Sequence, residues 1–254
     1  MNYETISVRY TDQICYLQMN RHEANNTIND QLVEECAHVL SSCQEKITIV
    51  VLEGLPKVFC MGADFENMYA TLASGQPLEN RPEPLYDLWL QLKHGSFISI
   101  AHVRGKVNAG GVGFVSACDI VIADDTAEFS LSELLFGLFP ACVMPFLIQR
   151  IGTQKTHYMT LMTKPISVVD AYDWGLVDAY DSQSELLIRK HLLRLKKLSK
   201  SAIKNYKRYL RSFQQQVYTS KLSALSANES MFSDPQILDK IYRFVEKGQF
   251  PWEE

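Results

Sequence analysis

The chain has 254 residues, of which 46% are hydrophobic and 21% are charged, and this composition is typical of a globular protein rather than a disordered or fibrous one. Its 25 Lys and Arg residues against 29 Asp and Glu residues leave a net charge of −4, which lacks the basic excess expected of a general nucleic-acid-binding protein. Length alone allows one domain or two.

The start of the chain and its cysteines bear on location and on metal binding. Residues 1–10 contain neither a basic leader nor an apolar run, so we expect no secretory signal. The most apolar stretch, residues 131–148, is interrupted by Glu133 and two prolines, which predicts no membrane span. The six cysteines are scattered, with no CxxC motif and no histidine at metal-ligand spacing. We therefore expect a cytoplasmic protein with reduced, buried thiols and no metal site.

The predicted elements alternate between strands and helices along the first half of the chain. Apolar or β-branched runs predict strands at residues 14–20, 47–53, 97–103, 119–124 and 127–130, and an amphipathic pattern predicts a helix at residues 29–43. A turn around Gly62 leads into a helix that begins near Asp64, and a second Gly-rich turn, residues 105–113, leads into another helix. Strand, Gly turn and helix in this repeated order predict an α/β layer structure with ligands at the turns.

Two further segments stand out by composition. Residues 70–84 are rich in Pro, Glu and Gly, which is typical of either a loop over a site or a solvated connector. From about residue 185 the chain reads as helical and charged, and residues 189–211 contain ten Lys and Arg residues and no Asp or Glu. Such a basic segment is either a docking surface for an acidic partner or a solvated or subunit-facing helix.

Common catalytic motifs are absent, which directs attention to the two Gly turns. The sequence contains no GxSxG elbow, HExxH motif, kinase set or P-loop. The turns FCMGADF (59–65) and GKVNAGGVGF (105–114) remain. Each can present backbone N–H groups at a helix N-terminus, and two such donors that converge would form an oxyanion hole. Close packing explains either turn alone, but the pair favours a site.

These turns form part of a longer resemblance. Together with SLSELLFG (130–137) and TKPISVVDAYDWGLVD (163–178), they closely resemble the crotonase (enoyl-CoA hydratase/isomerase) superfamily over nearly the whole chain. The resemblance implies a crotonase fold of the α/β class, with repeated ββα units in a spiral. It implies a core at residues 1–188 and a C-terminal helical trimerisation region at residues 189–254. It also implies a homotrimer, or a hexamer of paired trimers.

The resemblance also assigns site residues by position. It places the N–H groups of Ala63 and Gly110 in an oxyanion hole for a thioester, and it makes Glu133 the catalytic acid or base. Gly62, Asn108, Gly111 and Tyr86 follow as substrate-binding candidates, and Tyr86 and Trp89 are also candidates for core packing. The family's hydratases have a second glutamate where this chain has Gly113, so their two-glutamate mechanism is not carried over. One carboxylate suffices for proton transfer if an apolar pocket raises its pKa toward neutrality.

A second departure concerns the acyl carrier. Many family members have Lys near the nucleotide of coenzyme A where this chain has Glu66. An acid there would repel the nucleotide phosphates, which favours a substrate on the phosphopantetheine thioester of an acyl carrier protein and no separate cofactor. Carrier proteins are acidic as a class, so residues 189–211 are a candidate docking surface.

Less common runs of residues resemble one particular group within the superfamily. EANNTIND (23–30), HYMTLMTKPIS (157–167) and GQFPWE (248–253) are similar to the dehydratases of polyketide β-branching cassettes. This implies dehydration of 3-hydroxy-3-methylglutaryl-carrier protein to 3-methylglutaconyl-carrier protein. A Δ3–Δ2 enoyl-thioester isomerase and a non-catalytic binding subunit are the alternatives. The candidate partners for the distal carboxylate of that substrate are His102, Arg104, Lys106 and Asn108, and strand alternation leaves the choice open.

Overall fold

The computed structural model describes residues 3–75 and 81–253, and two β-sheets carry its fold. The strands are β1 (Ile6–Thr11), β2 (Ile14–Met19), β3 (Ile49–Glu53), β4 (Val58–Cys60), β5 (Ile98–Val103), β6 (Lys106–Asn108), β7 (Ile120–Ala123), β8 (Glu128–Ser130), β9 (Ile166–Ser167) and β10 (Ala179–Tyr180). A six-stranded sheet has the order β1-β2-β3-β5-β7-β10, and a four-stranded sheet has the order β4-β6-β8-β9. Most pairs are parallel, and the exceptions are β1 with β2 and β8 with β9.

Helices cover both sheets and form the C-terminal region. They are α1 (Asp30–Ser42), α2 (Phe65–Ala73), α3 (Pro82–His94), α4 (Gly110–Ala117), α5 (Met144–Met162), α6 (Val168–Asp173), α7 (Ser184–Leu195), α8 (Lys200–Arg211), α9 (Gln216–Thr219), α10 (Lys221–Phe232) and α11 (Pro235–Lys247). Short 3-10 helices span His22–Ala24 and Glu133–Phe136. None of the helices within the described ranges is both long and apolar enough to cross a membrane.

The chain repeats one structural unit along the two sheets. β3, β4 and α2 form one unit, and β5, β6 and α4 form the next. β7 and β8 follow in the same order and lead into the Glu133–Phe136 helix. In each unit the first strand joins the six-stranded sheet and the second joins the four-stranded sheet. The predicted succession of ββα units is therefore confirmed, and it brings successive strand-to-helix turns to one side of the molecule.

Local sequence explains the predicted elements well. β3 is buried at four of its five residues, as expected for a parallel strand covered on both faces. α1 begins after Asn29, whose side chain accepts a hydrogen bond from the Leu32 N–H at 3.0 Å, the usual N-cap arrangement. All six cysteines are free and buried, which confirms their prediction as core residues.

The structure adds elements that the sequence patterns did not predict. β1, β4 and β6 were not predicted, and β4 and β6 lie at the starts of the two Gly turns. In the segment 70–84, α2 continues to Ala73 and α3 begins at Pro82, whereas residues 76–80 lie outside the described residues. The expected boundary between the core (residues 1–188) and the C-terminal helical region (residues 189–254) falls inside α7.

The C-terminal helices pack onto the sheet and onto the turns that follow it. α7 buries Ile188 and Leu192 against strands of the six-stranded sheet. In α8, Lys207 is buried and its ammonium lies 2.6 Å from the Asp119 carboxylate. α11 contacts α2 and the Glu133–Phe136 helix. The basic segment 189–211 therefore combines structural cations with exposed ones.

Candidate active site

The two Gly turns meet in space. Gly62 has φ = +89°, a conformation that glycine adopts without strain. A Cβ atom on Gly62 would lie 2.8 Å from the Ala109 Cβ and 3.5 Å from the Gly110 nitrogen. Ala109 itself has φ = +49°, an unfavourable conformation for a residue with a side chain, and such conformations cluster at functional sites. The structure therefore brings the turn of Gly62 and Ala63 against the turn of Ala109 and Gly110, and the convergence of the two N–H groups stays a prediction.

A β-bridge between Ile28 and Ala63 fixes the position of the Ala63 turn. The Ile28 N–H donates to the Gly62 carbonyl at 2.7 Å, and the Asp64 N–H donates to the Ile28 carbonyl at 3.2 Å. Both bonds involve the neighbours of Ala63, so the Ala63 N–H stays outside the bridge. The Gly110 N–H is the first of α4 and belongs to the group of N–H donors without an acceptor inside the helix. The Ala63 N–H thus lies outside the bridge and the Gly110 N–H outside the helix ladder, and their binding of one ligand oxygen stays a prediction.

An ion pair that was not predicted from the sequence supports this turn. Asp64 caps α2 by accepting a hydrogen bond from the Asn67 N–H at 3.0 Å. The Arg21 guanidinium lies 2.8 Å from the other Asp64 oxygen and also donates to the Thr27 carbonyl. Asn26 donates to the Phe59 carbonyl at 3.0 Å. In the sequence, the run EANNTIND (23–30) was evidence only of a resemblance. In the structure, its residues Asn26 and Ile28 hydrogen-bond to Phe59 and Gly62 and so hold the Gly62 turn.

Glu133 has the environment of a proton-transfer group. It opens the short helix that follows β8, and the neighbouring Leu131 and Phe136 are buried. Its Oε2 atom is buried and has no hydrogen-bond partner in the described part of the chain. Desolvation raises the pKa of Glu133 from its ordinary value of 4.5 to about 7. This direction is the one that proton transfer by a single carboxylate requires, because a carboxyl with such a pKa can both take up and release a proton near pH 7.

Asn108 links the second Gly turn to the Glu133 helix. The Ser130 hydroxyl donates to Asn108 Oδ1 at 2.8 Å, and Asn108 Nδ2 donates to the Ser132 hydroxyl at 2.9 Å. Ser132 directly precedes Glu133. The side chain of Asn108 therefore holds β6, β8 and the Glu133–Phe136 helix together, and its role as a direct substrate ligand stays a prediction.

Two of the other candidates for the distal carboxylate, His102 and Arg104, contact α7 rather than these turns. His102 is only 2% exposed and lies between the Glu53 carboxylate, at 3.0 Å, and the Ser184 hydroxyl, at 2.9 Å. Arg104 lies 3.5 Å from Glu185. Both side chains are thus directed to α7 by strand alternation, and Lys106 is exposed on β6. Of the four candidates left open, the structure therefore disfavours His102 and Arg104.

Tyr86 is a core residue, which corrects its assignment to substrate binding. Its side chain has no exposed surface, and its hydroxyl donates to the Val217 carbonyl. The centroid of its ring lies 5.0 Å from that of the Phe146 ring. Gly111 also serves packing, because a Cβ atom there would lie 2.5 Å from the Cys60 carbonyl oxygen. Contact between Gly111 and substrate stays a prediction.

The Trp89 side chain explains why this chain has glycine at position 113 instead of the second glutamate of the family's hydratases. The indole is 1% exposed, and its ring atoms lie 2.4 to 2.8 Å from the place where a Cβ atom on Gly113 would stand. Real Cβ contacts do not come this close, so the indole occupies the space that any side chain at this position would need. The chain therefore has no room for a second carboxylate beside Gly110. Within residues 3–75 and 81–253, no three His, Cys, Asp or Glu side chains are grouped as a metal site.

Comparison with known proteins gives consistent results. A family model described as enoyl-CoA hydratase/isomerase matches residues 9–254. The bacillaene synthase dehydratase PksH of Bacillus subtilis (strain 168) is 60% identical over 255 residues, which cover 100% of this chain and 98% of that protein. A crystal structure described as a polyketide biosynthesis enoyl-CoA hydratase from Bacillus subtilis has a TM-score of 0.97 at 60% identity and covers 98% of this chain and 100% of its own.

A more distant structure shares the fold alone. The crystal structure of an enoyl-CoA hydratase from Bacillus halodurans is 18% identical and has a TM-score of 0.83, with 94% of this chain and 99% of that chain covered.

Proposed function

The chain belongs to the enoyl-CoA hydratase/isomerase family, and from this premise we propose that it dehydrates 3-hydroxy-3-methylglutaryl thioesters to 3-methylglutaconyl thioesters in polyketide biosynthesis. The predicted crotonase fold is confirmed by the matching structures, and the chain is an enzyme of the hydratase and dehydratase type. The observation that carries the proposal is the half-buried side chain of Glu133, whose Oε2 atom is buried and has no hydrogen-bond partner among the described residues. Asn108 ties the residue before it, Ser132, to the second Gly turn. The dehydratase that is 60% identical over the whole chain supports the proposal.

The proposed reaction uses the two turns and one carboxyl. The N–H groups of Ala63 and Gly110 donate to the thioester oxygen and stabilise the enolate that forms when the C2 proton leaves. Loss of one such donor typically costs about 3 to 4 kcal/mol of transition-state stabilisation. Glu133 takes the C2 proton and then delivers it to the C3 hydroxyl, so the C3–O bond breaks, the C2–C3 double bond forms and water leaves.

A single carboxyl suits elimination from one face of the substrate. The departing hydroxyl and the C2 proton must both be within reach of Glu133, because the position of Gly113 is closed by the Trp89 ring. This arrangement leaves no second base to hold an attacking water, as the two-glutamate hydratases of the family require. The same arrangement fits the alternative of a Δ3–Δ2 isomerase, in which Glu133 would move a proton between two carbons.

The proposed substrate is carried on the phosphopantetheine of an acyl carrier protein, without a separate cofactor. Glu66 is exposed on the first turn of α2, directly after the Ala63 turn, where it would repel nucleotide phosphates. In the basic segment, Lys200 donates to backbone carbonyls and Lys207 pairs with Asp119. The exposed cations that remain for an acidic carrier include Lys190, Lys197, Lys204 and Arg208. A homotrimer or hexamer also stays part of the proposal.

Mass spectrometry tests the proposed reaction directly. Purified enzyme is incubated with 3-hydroxy-3-methylglutaryl-carrier protein, and the acyl group is expected to lose the mass of one water. A matched reaction with a 3-enoyl-pantetheine distinguishes the isomerase. If the 3-enoyl substrate isomerises and the hydroxyacyl substrate keeps its mass, the dehydratase proposal is wrong. If neither substrate reacts, the non-catalytic subunit is favoured.

A further inference from the structure

The Ala63 turn carries a negative charge directly beside its proposed donor. Asp64 follows Ala63 in the chain, and its carboxylate caps α2 by accepting a hydrogen bond from the Asn67 N–H at 3.0 Å. The Asp64 side chain is only 8% exposed, so water and salt screen its charge weakly. An unpaired carboxylate at this place would oppose the growth of negative charge on an oxygen bound to the Ala63 N–H. The proposed enolate therefore requires the charge of Asp64 to be offset.

Arg21 supplies the offsetting charge. One of its amino groups lies 2.8 Å from the Asp64 oxygen that does not cap α2. The other amino group donates to the carbonyl and to the hydroxyl of Thr27. Only 16% of the Arg21 side chain is exposed. Because two separate groups hold the guanidinium, its positive charge stays fixed beside the Asp64 carboxylate.

The segment that follows Arg21 is built against both Gly turns. The Arg21 N–H donates to Asn26 Oδ1 at 2.8 Å, and Asn26, which has no exposed surface, donates to the Phe59 carbonyl at 3.0 Å. Ile28 pairs with the first Gly turn through its β-bridge. The Ile28 Cδ1 atom also lies 2.7 Å from the place where a Cβ atom on Gly110 would stand. The ion pair therefore belongs to the frame that holds the two proposed donors.

Stability gives no sufficient reason for a charged pair at this turn. A buried ion pair gains little over apolar packing of similar volume, because the loss of hydration offsets the attraction between the charges. The cap of α2 needs no charge either, since an uncharged Asn caps a helix about as well as Asp does. A balanced pair of charges beside the Ala63 N–H is instead explained by its effect on that donor.

We propose that Arg21 is a positioning residue of the dehydration, which neutralises Asp64 and so keeps the Ala63 N–H an effective donor to the enolate oxygen. This inference rests on the proposed function, which forms an enolate at that N–H. The charge on the oxygen grows only as the C2 proton leaves, so the effect of Arg21 falls on kcat and little on KM. Neither Arg21 nor Asp64 contacts the substrate.

Two single substitutions break the same ion pair with opposite consequences. With 3-hydroxy-3-methylglutaryl-pantetheine as substrate, Arg21→Gln leaves the carboxylate unpaired and should lower kcat about 10-fold, with KM changed less than about twofold. Asp64→Asn keeps a cap on α2 and leaves the guanidinium unpaired, so kcat should rise about threefold. The double variant has neither charge and should return kcat to within about threefold of the wild type.

A purely structural pair predicts a different result. Both single variants would then lose kcat alike, and this outcome overturns the proposal. Asp64→Asn decides the question even if Arg21→Gln is too unstable to purify, because a fall in kcat for Asp64→Asn also overturns it.

Arg150→Gln is the matched control for loss of a buried cation. Arg150 is 11% exposed and pairs with Asp178, and it donates to the carbonyls of Cys118 and Leu176. These partners lie outside the two Gly turns. The control variant should therefore lower the free energy of unfolding in urea, as Arg21→Gln should, but leave kcat unchanged.

A vibrational measurement separates this inference from the proposed reaction. Butyryl-pantetheine labelled with carbon-13 at the thioester carbonyl lacks a C3 hydroxyl and cannot be dehydrated. When it binds the wild type, its carbonyl stretch should move to lower frequency, because hydrogen-bond donors polarise the C=O bond. The shift should be smaller in Arg21→Gln, larger in Asp64→Asn and unchanged in Arg150→Gln.

The outcomes of the two experiments are distinct. If the carbonyl shifts follow this order but the wild type dehydrates nothing, the proposed function fails and the assignment of Arg21 stands. If the wild type dehydrates its substrate but the carbonyl shift is absent, or equal in all four proteins, the assignment of Arg21 is overturned and the proposed function stands.

Discussion

Replacement of Glu133 by Gln tests the link between burial and catalysis. The change keeps the shape of the side chain and removes its ability to ionise. If the carboxyl moves the proton between C2 and the leaving hydroxyl, kcat should fall about 10³-fold, which lies within the usual range for general acid–base catalysis. Because the pKa of Glu133 is raised to about 7, the kcat/KM of the wild type should rise with pH through about 7 as the base becomes ionised.

The same substitution should change stability in the opposite direction. A rise of this pKa from 4.5 to about 7 makes the ionised form less stable in the folded protein by about 3 kcal/mol, since one pKa unit corresponds to about 1.4 kcal/mol. Below pH 4.5 the wild-type carboxyl is neutral in both states and this penalty is absent. The penalty develops as the pH rises toward and through about 7. Glu133→Gln should therefore be more stable than the wild type by up to about 3 kcal/mol at pH 8, and by little at pH 4.5.

Urea unfolding at several pH values, together with pH–rate profiles, gives both quantities. The expected result is an inactive variant whose extra stability grows between pH 4.5 and pH 8. Unchanged activity would refute the catalytic role of Glu133. A stability difference that does not depend on pH would refute the claim that desolvation raises its pKa, even if the activity is lost.

The remaining predictions concern docking of the carrier protein, the position of Gly113 beside the Trp89 ring, and the ion pair between Lys207 and Asp119. Lys197→Gln combined with Lys204→Gln should raise KM for a carrier-bound substrate about threefold to tenfold at low salt, and an equal rise for a pantetheine substrate would contradict docking. Gly113→Glu should lower the free energy of unfolding by about 3 kcal/mol in urea titrations, because it collides with the Trp89 ring, and it should not create hydration of crotonyl-pantetheine. Lys207→Met should cost about 3 kcal/mol of stability in the same assay, since it strands a half-buried carboxylate, while kcat should change little.

Helix and strand periodicity predicted several of the longer elements, although the six-residue strand β1 was missed. α1 follows from the Asn29 cap and from apolar residues spaced along one face, and β3 follows from a continuous apolar run. β4 and β6 were missed: each has only three residues and lies at the start of a Gly turn, so the turn residues dominate the local pattern. Their existence depends on pairing with each other and with β8, and this pairing joins segments far apart in the chain.

The site was predicted in part. The motifs indicated Ala63, Gly110 and Glu133, which belong to short runs of fixed spacing, and their roles stay predictions. The candidates Tyr86 and His102 did not come from these motifs, and the structure gives both side chains other partners. The partner of Tyr86 is 131 residues away in the chain, and the partners of His102 are 49 and 82 residues away, so no local pattern shows which way these side chains point.

The sequence by itself determined the family, the order of the elements and the groups available for chemistry, because these depend on residue type and local spacing. The tertiary structure alone decided how those groups behave. It closed the position of Gly113 with an indole from α3, and it raised the pKa of Glu133 by removing water from around the carboxyl. Desolvation and close contact are produced by atoms from distant segments, so they become visible only when the chain is folded.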